Sequence, residues 1–84
     1  MGMTAALKLR RVIANTRLVL AIEAIAAAQA LEFLKPLQPS PRGQKAYAAI
    51  RAVSPAIEQD RVLAPEFVRV AEVIAGGAIA AALV

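Results

Sequence analysis

Eighty-four residues confine the chain to one small domain or part of one, and 60% of them are apolar although Phe, Trp and Tyr together supply only 4%. The absence of cysteine excludes disulfides and thiolate chemistry, and the absence of histidine removes the usual near-neutral general base and the commonest metal ligand. A net charge of +4 permits weak attraction to nucleic acid or anionic lipid without requiring either.

The first predicted element is a helix over residues 4–34. At 1.5 Å per residue it spans about 45 Å. Its middle, LVLAIEAIAAAQAL from Leu18 to Leu31, carries more apolar surface than one small protein can hide. Alanine dominates it; this residue has the best helix propensity and lets helix backbones approach closely. The helix therefore reads as part of an oligomeric helical bundle, formed with copies of itself or with a separate partner. Lys8, Arg10, Arg11 and Arg17 crowd its start, the end of a helix that favours anions. They are expected to lie inside a longer element, with phosphate or nucleic-acid contact as the competing reading. Stacking aromatics would support that reading, but Phe33, Tyr47 and Phe67 are not interleaved with the basic cluster, so nucleic acid is not expected as a partner.

Asn15, Thr16 and Arg17 interrupt the approach to the apolar stretch, unlike a secretory signal. Glu23 and Gln29 lie inside the most apolar window, which Arg17 and Glu32 bound, so no membrane span is expected. A cytoplasmic location fits a chain that calls for no oxidising compartment.

Six positions of this helix are candidate structural or interface residues: Asn15, Val19, Ile22, Glu23, Ile25 and Gln29. Glu23 has Val19, Leu20, Ala26 and Ala27 at helical spacing and no basic residue three or four places away. A carboxylate buried without a partner costs several kcal/mol, about 3 or more, or protonates. Glu23 is therefore expected to pair with another helix, in this chain or a second one. Asn15 and Gln29 supply hydrogen bonds that fix helix register, but no readily titratable group.

Lys35-Pro36 should end the helix, because proline lacks an amide donor and pushes the preceding residue out of the helical region. A stiff proline-punctuated loop is expected over 35–40. Ser40-Pro41 should cap and open a second helix over 41–53, with Ala46, Ala49, Ile50 and Val53 on one face. Residues 54–64 are expected to hold little beyond a turn. Glu58, Asp60 and Glu66 lack calcium-loop spacing and read as surface charge or as ion-pair partners of Arg61 or Arg69. A third helix over 65–75 opens on Pro65 and Glu66, and Phe67, Val70, Ala71 and Ile74 form its buried stripe. Gly76-Gly77 should stop it, and the apolar tail 76–84 is expected to dock on a neighbour. No stretch alternates cleanly enough for a strand. The fold class expected is all-α, a single 1–84 segment with a long N-terminal helix and two shorter helices folded back on it.

The order of these features resembles the carboxy-terminal helical region of histidine ammonia-lyase and, more broadly, the aromatic amino acid lyases. The segments that carry the resemblance are MGMTAALKLRRVIANTRLVLAIEAIAAAQALEF over 1–33, Ile50-Arg51, and SPAIEQDRVLAPEF over 54–67. The nearest likeness lies at Asn15, in Val19 to Glu23, in Ala26 to Leu31, and at Asp60-Arg61 with Leu63-Ala64-Pro65. The resemblance implies a mainly helical tetramer whose long central helices pack together, with active sites shared between subunits. It also implies an electrophilic methylidene-imidazolone made from an Ala-Ser-Gly tripeptide, and that tripeptide does not occur here. The family's catalytic tyrosine and substrate-binding residues would fall before Met1. Met1-Gly2 itself resembles the end of an acidic motif that precedes this region, so the start reads as lying within a larger domain.

These readings give a structural or oligomerisation segment, not catalytic by itself. The catalytic, cofactor-binding and metal residues expected are none, and the partners expected are further copies of the chain or an upstream lyase portion. Two alternatives stand beside this: a non-catalytic portion of an active histidine ammonia-lyase assembly, and a small basic module that binds nucleic acid.

Overall fold

A computed structural model describes residues 2–82 and contains, among them, four helices and no strand. They are α1 (Gly2–Phe33), α2 (Pro41–Arg51), α3 (Ala64–Ala75) and α4 (Ala78–Ala82). The fold is all-α, with shorter helices packed back against one long N-terminal helix. After Gly2, α1 contains neither glycine nor proline and is rich in alanine and leucine, so nothing in its interior breaks the hydrogen-bond ladder. It stops one residue short of the expected limit, where the Leu34 amide bonds the Leu31 carbonyl at 3.2 Å in a tighter turn. Pro36 then follows in a cis peptide with Lys35.

Ser40 caps α2: its Oγ accepts from the Gly43 amide at 3.2 Å, and Pro41 occupies the first turn. A Cβ on Gly43 would lie 3.0 Å from the Pro39 Cβ, so glycine lets that proline fold onto the helix. α2 ends at Arg51, two residues before the expected 53, and Val53 and Ser54 turn away on bonds to the Ile50 carbonyl. No helix forms between Ser54 and Leu63. The segment is instead held by side chains. Gln29 bonds both main-chain groups of Ile57, and Arg61 donates to the carbonyls of Pro55 and Ala56.

α3 opens on Ala64 and Pro65. It buries Val70 completely, and Phe67, Ala71 and Ile74 pack half-buried beside it. Glu66 pairs with Arg61, one of its two expected partners, but its carboxylate is buried and does not lie at the surface. Gly77 takes a positive φ of 83°, a conformation costly for any residue with a Cβ. It reverses the chain into α4, which packs on α2 and α3 and brings Ile79 against the core. The apolar tail expected to dock on a neighbour thus docks, over residues 78–82, on the helices of its own chain. Met1, Leu83 and Val84 lie outside the described residues.

The core consists of Ala21, Ile25 and Ala28 of α1, Ile50 of α2 and Val70 of α3. Alanines on α1 let α3 lie close along it, and this is the most extensive helix contact in the chain. Only the second half of α1 takes part. From Gly2 to Leu20 every residue is exposed. The chain measures 54 × 33 × 16 Å, with a radius of gyration of 14.8 Å against about 12 Å for a compact domain of this length. Its accessible surface is 6161 Å² at 8.8 kDa. A monomeric protein of that mass typically exposes about 4,800 Å², so about 1,400 Å² is in excess.

Candidate functional site

Three features carry the chemistry and the surface available to this chain. The first is the side of α1 turned away from its own core. Val19 is 56% exposed and Ile22 45%, whereas Ile25, three residues beyond Ile22 and packed in the core, is 3% exposed. Leu9 and Val12 continue this exposed surface toward the N-terminus, and Leu7, in line with Ile25, is exposed as well. At its other end the surface widens into an open apolar cleft of about 400 Å³ between α1 and α3, lined by Ile22, Ala26, Phe33, Ile57, Leu63 and Phe67 among others. An 18-residue window of α1 has a mean hydropathy of 1.4, long and apolar enough to cross a membrane by length and composition alone. The core helix of a soluble assembly meets the same description.

The second feature is a knot of charge where α1 meets α2. Glu32 bonds Lys35 Nζ at 2.8 Å and Arg51 Nη2 at 3.3 Å, and it accepts a hydrogen bond from the Tyr47 hydroxyl. The Arg51 guanidinium stands 5.2 Å over the Tyr47 ring, within cation–π range. The hydrogen bond from Lys35 holds the Glu32 carboxyl below the usual carboxylate range against the opposing effect of burial, and Arg51 adds to it. Glu32 is therefore an ionised anchor, not a proton donor near neutral pH. Beside it the proline loop walls a half-open cleft of about 640 Å³, lined by Leu31, Pro36, Leu37, Pro39, Gln44 and Tyr47 among others.

The third is a buried lock joining α3 to the loop after α2. Glu66, 4% exposed, accepts from Ser54 Oγ at 2.8 Å and from Arg61 Nε and Nη2, both at 2.8 Å. The hydrogen bonds from Arg61 bring the Glu66 carboxyl down to about 2, with Ser54 reinforcing them against burial. Ser54 is fully buried and donates to this carboxylate, so its hydroxyl is neither accessible nor activated as a nucleophile.

The candidate residues fall into three groups. Asn15, Val19, Ile22 and Glu23 are exposed, and Glu23 joins no ion pair among the described residues. Ile25 belongs to the chain's own core. Gln29 is half-buried and clamps the Ile57 main chain with bonds of 3.0 and 3.3 Å, a register-fixing contact made within the chain. Sequence reasoning passed over Glu32, Arg51 and Ser54. The only signals for them were i,i+3 spacing from Glu32 to Lys35 and a serine before a proline. Among the described residues no three of His, Cys, Asp and Glu converge as a metal site. The electrophile implied by the resemblance does not fit these residues either. The chain's two serines, Ser40 and Ser54, stand in Pro-Ser-Pro and Val-Ser-Pro, not in the tripeptide that would form it.

Comparison with known proteins places this sequence in a family. The model of the aromatic amino acid lyase family matches residues 1–52. Curated histidine ammonia-lyases are similar over nearly the whole chain. The protein from Koribacter versatilis is 56% identical over 82 residues, covering 98% of this chain and 16% of that protein. The protein from Symbiobacterium thermophilum is 52% identical over 83 residues, covering 99% and 16%. The one from Sorangium cellulosum is 46% identical over 83 residues, again covering 99% and 16%. The chain thus spans about 16% of the length of these relatives. No solved structure matches it. With the family match reaching past the end of α2 and the identity extending through α3, the chain belongs to the aromatic amino acid lyase family.

Proposed function

We propose that this chain is the non-catalytic helical scaffold of a histidine ammonia-lyase type of assembly, equivalent to its carboxy-terminal part. In this reading it supplies packing surface and active-site walls, while a separate lyase portion supplies the electrophile and the residues that hold the amino acid. The observation that carries the reading is the exposed, mostly apolar side of α1 on a chain with about 1,400 Å² of surface beyond its size. The internal chemistry agrees. Glu32 and Glu66 are committed to ion pairs, Tyr47 donates to Glu32, and Ser54 is sealed.

In this reading the similarity to histidine ammonia-lyases supports histidine as the substrate of the whole assembly. Ammonia release from histidine tests the proposal. The purified chain alone should release none. The same chain mixed with a lyase portion that ends before this region should restore release. Deamination by the chain alone would overturn the reading.

A further inference from the structure

The cleft beside the Glu32 charge knot combines stiff apolar walls with an unbalanced charge. Pro36 and Pro39 fix the backbone of its loop, and Leu31, Leu37 and the Tyr47 ring complete the walls. Its volume of about 640 Å³ is that of a small-molecule site. Among the described residues that line it, Lys35 is the one charged side chain, and no carboxylate does so. The cleft between α1 and α3 has no charged side chain on its walls, and its polar one, Gln29, is engaged by Ile57. In the knot, Glu32 is a single anion shared by Lys35 and Arg51, so one positive charge is in excess. Hydrogen bonding is unbalanced in the same sense. The buried Nε–H of Arg51 meets no acceptor. Lys35 Nζ has three N–H donors and one carboxylate partner among the described residues, Glu32 at 2.8 Å. The Lys35 side chain is 62% exposed, which leaves its other donors free to turn to a ligand.

We propose that this cleft binds a small monocarboxylate with an apolar body. The body lies against Pro36, Leu37, Pro39 and Tyr47, and the carboxylate takes the spare donors of Lys35. The sign of the charge selects the occupant. An anion offsets the excess of the knot, whereas an ammonium would meet Lys35 and Arg51 with Glu32 already held by both. The walls disfavour a fully polar anion such as phosphate, which would gain the lysine but lose hydration against apolar surface. The Tyr47 hydroxyl donates to Glu32 and the Gln44 amide to the Pro39 carbonyl, so Lys35 is the group that orients the head. A loop already held by prolines needs little ordering when a ligand enters. From α1 the cleft takes only Leu31, so it is complete in one chain and does not depend on assembly.

Tyr47 reports on the cleft without a label, because it is the chain's only tyrosine and there is no tryptophan. Octanoate, transparent where tyrosine absorbs, is titrated into the purified chain at neutral pH. It should change the Tyr47 emission saturably at about millimolar concentration. 1-Octanol and octylammonium, of the same length, should bind at least about tenfold more weakly. Lys35→Met should weaken octanoate about tenfold with helicity unchanged, and Lys35→Arg should retain it. Lys8→Met, which removes a remote cation, should leave binding as it was. Leu37→Asp, at an exposed wall position, should abolish it by placing a like charge beside the head. No response up to about 10 mM octanoate would overturn the proposal. An equal response to 1-octanol would show an apolar groove without recognition of the carboxylate, and an equal loss in Lys8→Met would show a response to overall charge; either would overturn it. Binding that disappears when a lyase portion is added would show that the cleft is a protein interface, and would overturn it as a ligand site.

Discussion

Replacing Glu66 with alanine tests whether the buried lock holds α3 to the loop. The substitution removes the acceptor of three bonds of 2.8 Å, two from Arg61 and one from Ser54. Removing one partner of a fully buried ion pair costs about 3–5 kcal/mol. Arg61 retains 31% of its side-chain exposure, so water recovers part of that and about 2 kcal/mol remains. The Ser54 hydroxyl, fully buried and left without an acceptor, adds about 1 kcal/mol. The total of about 3 kcal/mol should lower the thermal midpoint of a domain this size by about 15 °C, read by circular dichroism. A shift under about 3 °C would refute the lock.

The pH profile supplies a second reading of the same group. Its carboxyl sits at about 2 in the folded chain and near 4.3 in an unfolded one, so folding favours its ionised form. Its stabilisation is therefore complete above about pH 5 and disappears as pH falls from there toward 2. Glu66→Ala should flatten that acid limb.

Other perturbations separate the surface of α1 from its core. Val19→Glu, on an exposed site, should leave helicity unchanged and weaken self-association at least about tenfold by sedimentation, because it puts a charge into the exposed apolar side of α1. Gln29→Leu should cost about 2 kcal/mol in chemical unfolding and speed amide exchange at Ile57, since both main-chain groups of Ile57 lose their partner. Ala28→Leu forces a larger side chain into a site 2% exposed between packed helices, and should cost about 1–3 kcal/mol by the same measurement.

The long helix, its proline stop and the serine–proline start of α2 were legible because each rests on local chemistry: propensity, a missing amide and a cap. The stripe of Phe67, Val70, Ala71 and Ile74 was legible from spacing alone. The fate of the tail was not, because Gly77 acts both as a stop and as a left-handed turn that folds Ile79 back onto the core. Which face of α1 the chain covers was equally hidden. Val19, Ile22 and Ile25 look alike in sequence, and only the path of α3 buries Ile25 and leaves the other two exposed. Glu66 read as a first-turn acid beside possible arginine partners, yet its burial follows from Ser54, twelve residues earlier, meeting it in space. Long-range pairing of polar groups leaves little trace in local pattern.

Sedimentation equilibrium of the purified 84-residue chain reads most directly whether the far side of α1 is covered in solution. At micromolar concentration the mass should correspond to two chains or more, and it should fall toward one chain with Val19→Glu. A single stable species of 8.8 kDa across that range would show that the exposed side of α1 needs no partner, and would contradict the scaffold reading.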